Sequence, residues 1–274
     1  MARRRAKANR HQISEARQVE QLPLFAEVKA KRRKKPGPKP SRLSGSRHEK
    51  RPELKGRFPV HVVLRAHKDM GSLRKRFMYR GLRAATIAVA MRELNEKATG
   101  AFRIVHISIQ RTHVHLIVEA DNKRALSRGM QSFQISAAKH MNREISIKRG
   151  LPKRRRGTVF PDRFHEEIIK TPKQARNALA YVLNNWRKHR EDRGDAQGRW
   201  NVDPFSTGAL FGGWRALEEA YVMWPLPSTY EPLVVYLPKT WLLTRGWLIH
   251  GRITFREVPS EKRSWIAEVA PRVE

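Results

Sequence analysis

The chain has 274 residues, 58 lysines and arginines against 25 acids, a net charge of +33 and no cysteine. That length can bury a substantial core and hold one sizeable domain with appendages. A charge excess of this size calls for a polyanionic partner, nucleic acid before any other. The missing cysteines exclude disulfides and thiolate metal sites, leaving imidazole, carboxylate, amide and water oxygen as ligands. No apolar run approaches the length of a membrane span, and the charged N-terminus does not read as a signal peptide. The protein is expected to be intracellular.

Residues 1–57 carry 19 lysines and arginines against five acids and few apolar residues, apart from one short amphipathic piece from Ile13 to Phe25. The run Lys31 to Pro40 contains Lys34, Lys35, Pro36, Pro38 and Pro40. Proline fixes φ and removes donors, so this run is extended rather than helical. It loosely resembles a minor-groove-binding AT-hook. The segment is expected to be a disordered arm, with Lys34 and Lys35 contacting DNA phosphates.

A folded domain is expected from 58 to 190. Val60, Val62 and Leu64 alternate with His61, Val63 and Arg65 in a first strand. Leu73, Phe77, Ala84, Ile87, Met91 and Leu94 recur at helical spacing, predicting a helix from about 72 to 97 that stops at Gly100. Residues 102–110 read as a second strand, with Val105, Ile107 and Ile109 on one side and His106, Ser108 and Gln110 on the other. Arg111 and Thr112 lead into a third strand, Thr112 to Glu119, a spacing suited to an antiparallel hairpin. There His113 and His115 project from one face and Val114, Leu116 and Val118 from the other.

A second amphipathic helix follows Asn122, with Leu126, Met130, Phe133, Ala137 and Met141 as its core stripe. A basic loop with Arg154, Arg155 and Arg156 comes next, then short strand-like pieces at 158–160 and 164–169. Strand, helix, strand, strand, helix, strand is the α+β, ferredoxin-like (split βαβ) order: an antiparallel sheet with two helices on one face. Pleat parity puts His61, His106, His113 and His115 together on the opposite face.

Thr171 and Pro172 open a further helix that runs to about His189. Ala175, Ala178, Val182 and Trp186 form its buried stripe, while Asn177, Tyr181, Asn184, Asn185 and Lys188 lie on the other face. Tyr181 reads either as a surface tyrosine or as a nucleophile beside a metal ligand. Residues 191–274 form a tryptophan-rich extension, expected to be mostly helical and packed over the core. Its segment from Thr240 to Trp247 is a candidate half of a small DNA-reading unit.

His113-Val114-His115 on a strand, then Tyr181 with Asn185 four residues on, resembles the single-tyrosine HUH transposases. The similarity is strongest to the REP-associated tyrosine (IS200-like) branch. Leu116 to Asp121, Ala125 to Gln131, Phe160 to His165 and Asn177 to His189 extend it over about 58–190. The long C-terminal extension departs from the pattern. By position the resemblance implies His113, His115 and Asn185 as ligands of Mg²⁺ or Mn²⁺, and Tyr181 as the nucleophile of a 5′-phosphotyrosine intermediate.

The implied substrate is single-stranded, hairpin-associated DNA, with Arg154, Arg155, Arg156, Arg163, His165 and Lys188 as contacts and Asn184 as a further candidate. Phe160 and Phe164 read as sheet core or as base-stacking residues. The main competing reading is a non-catalytic DNA-binding protein or repressor of the same fold, and a weaker one is a zinc hydrolase using His113 and His115. Monomer and homodimer are both open.

Overall fold

The computed structural model describes residues 51–95, 101–191, 200–219 and 224–258. Lys34, Lys35, the proline-rich run, the 13–25 piece and the helix stop at Gly100 lie outside them. The regular elements are β1 (Val60–Arg65), α1 (Arg76–Asn95), β2 (Phe102–Ile109), β3 (His113–Ala120), α2 (Lys123–Lys148), β4 (His165–Ile168) and α3 (Pro172–Lys188).

The four strands form one antiparallel sheet in the order β2-β3-β1-β4, the ferredoxin-like arrangement. Alternation along each strand separates two cores. Val60, Val62, Leu64, Val114, Leu116 and Val118 pack against Met78, Leu82, Val89, Met130, Phe133 and Met141 of α1 and α2. Ile117 faces the other way, against Ala175, Ala178, Leu179 and Val182 of α3. The two crossover helices therefore share one face, and α3 covers the other.

One face assignment differs from the alternation. Ile104 pairs with Val118 and His106 with Ile117, so Val105 is the extra residue of a β-bulge. The bulge puts Val105 in the α3-side core, away from Ile107 and Ile109. His106 stays on the α3 face as expected, beside Phe211 at 5.5 Å.

Local chemistry explains the helix starts. Asn122 accepts from the amides of Arg124 and Ala125 at 3.0 Å each. Thr171 and Gln174 make a reciprocal capping box, with Pro172 in the first turn. The β2–β3 turn lacks glycine and asparagine and is held from outside instead. Thr112 O accepts from Ala66 N at 2.9 Å and Arg111 O from Leu73 N at 2.8 Å. Arg111 N donates to Glu191 Oε1 at 3.2 Å.

Both ends of the described chain pack onto this domain. Arg51, from the segment read as arm, pairs with Glu166 and stacks 3.6 Å over the buried Phe164 ring. The C-terminal extension runs along edge strand β2: Ile109 N donates to Phe205 O at 2.9 Å and Tyr236 N to Ile104 O at 2.8 Å. Pairing of this kind removes the free donors and acceptors that make an edge strand sticky. Trp214 and Trp247 are buried against α3. The mostly helical extension expected from sequence is, among the described residues, irregular backbone joined by short helical turns at Thr207–Leu210, Ala216–Glu219, Trp241–Thr244 and Gly246–His250. No helix among the described residues is long and apolar enough to cross a membrane.

Candidate active site

The antiparallel register assembles the polar face row by row. Arg65 pairs with His113, Val63 with both His115 and His165, and His61 with Ile117 and Glu167. Directly paired residues project to the same side, so three strands deliver these groups to the face that α3 covers. Tyr181, on α3, sets its ring 5.3 Å from His115 and 5.8 Å from His61, edge-on to both. The His113 and His115 rings are 4.7 Å apart and nearly perpendicular.

Hydrogen bonding leaves a particular set of atoms unused. His115 Nδ1 is 3.1 Å from His61 Nε2, and His113 Nδ1 is 3.2 Å from Thr112 Oγ1. Among the described residues, His113 Nε2, His115 Nε2 and both amide atoms of Asn185 are buried without a hydrogen-bond partner. Unpaired buried polar atoms are costly, and each one asks for a ligand. Two imidazole nitrogens whose other nitrogens are engaged, plus an amide oxygen, are donor types that a divalent cation accepts. Among the described residues no group of three or more histidines or carboxylates could hold a metal ion.

Burial governs the protonation states. It brings His61 down to about 3, with His165 and His113 adding repulsion. It brings His113 down to about 4, helped by His189 and Arg65. His115 is also held well below its ordinary value by burial, and after it by the neighbouring imidazoles and Lys188. All three are neutral near pH 7, the state a ligating imidazole needs. Burial pushes the Tyr181 phenol up to about 12, so its proton stays on unless something stabilises the phenolate. Lys188 Nζ lies 5.4 Å from the Tyr181 ring centroid, buried and without a hydrogen bond among the described residues.

The other sequence-predicted residues divide. Arg154, Arg156, Arg163 and His165 are exposed. Arg155 is only half exposed, and its guanidinium donates to Asn142 Oδ1 while its amide donates to Ser146 Oγ. Asn184 does not face the histidines as expected: it is buried and donates to Thr254 O at 3.0 Å, anchoring the extension. Phe164 is core. His189 was not singled out from sequence, yet its ring is 5.4 Å from His113. Its position, one turn beyond Asn185 on the same helix, was the available signal.

Residues 60–185 match the family model described as "Transposase IS200 like". No protein of curated function shows significant similarity. Among solved structures, one similar fold is a REP-associated tyrosine transposase bound to a REP hairpin, at 20% identity and a TM-score of 0.42, covering 59% of this chain and 82% of that one. A second is a Deinococcus radiodurans R1 protein described as a transposase, at 12% identity and a TM-score of 0.31, covering 55% of this chain and 98% of that one.

Proposed function

Residues 60–185 of this chain belong to the IS200-like transposase family, and on that premise we propose that the protein cuts and rejoins single-stranded, hairpin-associated DNA through Tyr181. The observation that carries the reading is a meeting of side chains: the Tyr181 ring lies 5.3 Å from His115, where the Nε2 atoms of two histidines and the Asn185 amide have no partner among the described residues.

In the proposed reaction the Tyr181 oxygen attacks a backbone phosphorus. The bond from phosphorus to the phenolic oxygen forms and the bond to the 3′ oxygen breaks. The phenol releases its proton and the departing 3′ oxygen takes one up, so charge and atoms balance. The products are a 5′-phosphotyrosine and a free 3′-OH. Bond energy is conserved in the covalent link, and a second 3′-OH can reverse the step and join strands without ATP.

His113, His115 and Asn185 would hold Mg²⁺ or Mn²⁺, and a bound divalent cation would polarise the scissile phosphate and offset charge on the leaving oxygen. Nitrogen donors match Mn²⁺ better than Mg²⁺. His61 orients the His115 ring through the Nδ1 contact, keeping Nε2 available. Lys188 would favour the phenolate by its charge. Arg65, paired with His113 at the strand end, and the exposed Arg154, Arg156, Arg163 and His165 would contact phosphates, steering the strand without reading sequence.

The test is incubation of the full chain with a panel of single-stranded hairpins and Mn²⁺, beside the Tyr181→Phe variant. Cleavage by the wild type, lost in Tyr181→Phe with DNA affinity retained, is the expected result. Equal cleavage by both proteins would refute the assignment, and binding without cleavage by either would leave a DNA-binding protein on a transposase scaffold.

A further inference from the structure

Outside the family match, the extension has an acid-free stretch: from Pro232 to Arg256 there is no aspartate or glutamate, and Lys239, Arg245, Arg252 and Arg256 are basic. Its helical turns press Leu242, Leu243 and Trp247 inward against α3, the helix that carries Tyr181. Their outer side exposes Lys239, Trp241, Arg245, Leu248, Ile249 and His250.

Trp241 is unlike the buried tryptophans of the extension. It is 55% exposed, yet it is held in place. A Cβ at Gly246 would stand only 2.7 Å from its Cζ3 and 2.9 Å from its Cε3, so the six-membered ring rests against a residue with no side chain of its own. The backbone just before it is pinned, because Lys239 N and Thr240 N donate to Glu119 Oε1 at 3.0 and 2.7 Å. The Glu119 carboxylate is buried and also paired with Arg103, so it adds no exposed negative charge. Neither the Lys239 nor the Arg245 head group has an acidic partner among the described residues.

We propose that this turn is an accessory binding element for single-stranded DNA, in which Trp241 is a fixed stacking platform and Lys239 and Arg245 meet the flanking phosphates. An exposed aromatic face on the same turn as exposed cations is what an unpaired base and its backbone require. Preordering the indole reduces the entropy lost when a base lands on it. The cations distinguish this surface from a protein-docking patch, since a second copy of so basic a chain would be repelled at close range. The inference goes beyond the transposase reading and is read by binding alone, so a chain that failed to cut DNA would leave it standing.

The experiment measures binding of the full chain to fluorescein-labelled oligothymidylate by anisotropy, at fixed salt. The variants are Trp241→Ala, Trp241→Phe and the pair Lys239→Glu with Arg245→Glu. Circular dichroism and thermal melting verify that each is folded. Trp241→Ala is expected to weaken binding by roughly five- to hundredfold, Trp241→Phe by much less, and the charge pair by at least about tenfold with a shallower salt dependence. An oligonucleotide carrying 5-iododeoxyuridine should crosslink to the peptide containing Trp241. Wild-type affinity in both Trp241→Ala and the charge pair would overturn the proposal. So would unchanged affinity together with loss of a dimer in sedimentation, which would assign the surface to a second copy of the chain.

Discussion

Replacing Arg74 tests how the site is held together. Its guanidinium lies 2.8 Å from Asp203 Oδ1 and 2.5 Å from Glu191 Oε2, and it donates to Ile109 O at 2.9 Å. The three side chains are 6%, 0% and 6% exposed. Burial alone would lower the Arg74 pKa, but Asp203 and Glu191 outweigh it and the group is held above its ordinary value. Arg74→Met strands two buried carboxylates, a situation that costs about 3–5 kcal/mol. For a domain of this size that is a fall in Tm on the order of 10 °C.

The same triad has a functional reach. Glu191 follows the end of α3 and accepts from Arg111 N in the histidine hairpin, so it ties the tyrosine helix to the strand that bears His113. Arg74→Met should therefore also weaken Mn²⁺ binding. Urea unfolding at pH 7 checks the magnitude, and the triple variant Arg74→Met, Asp203→Asn, Glu191→Gln should recover most of the loss. A deficit below about 1 kcal/mol, the range of an exposed ion pair, would show that the triad is not a buried, coupled unit.

Three further outcomes follow from packing and protonation. His61, His106 and His113 are depressed by burial to about 3, about 4 and about 4. Below about pH 6.5 the unfolded chain therefore binds more protons than the folded one, so stability present above 6.5 is lost as pH falls toward 4. The slope from these three is about 4 kcal/mol per pH unit; a urea midpoint unchanged from pH 7 to 5.5 would contradict it. Asn185→Leu removes an amide with no partner among the described residues, and should raise metal-free stability by about 1 kcal/mol while abolishing the Tm rise produced by Mn²⁺. Retention of that rise would remove Asn185 from the ligand set. Gly129→Ala would put a methyl 2.1 Å from Phe102 Cγ, and should cost about 1–3 kcal/mol; thermal melting within a degree of wild type would show that the ring yields.

The strand and helix order, the shared face of His61, His106, His113 and His115, and the Thr171 cap were legible because each follows from a local period or a local hydrogen bond. Val105 was misplaced because a bulge adds a residue without leaving a mark in the alternation of apolar side chains. Asn184 was misplaced because its partner is a carbonyl of Thr254, seventy residues downstream, and helical spacing carries no information about that contact. The stability of the β2–β3 turn was equally hidden, since its support comes from Ala66, Leu73 and Glu191 rather than from turn residues. Spacing brought Tyr181 and Asn185 to one side of a helix; only the register of three strands shows which imidazoles await them.

In the proposed reaction the Tyr181 oxygen becomes bonded to DNA phosphorus. Mass spectrometry of tryptic peptides, after reaction with a labelled hairpin and Mn²⁺, tests it most directly. A nucleotide-bearing peptide with the modification on Tyr181 is the predicted result. Cleaved DNA with no adduct, or an adduct on a different tyrosine, would rule out Tyr181 as the nucleophile.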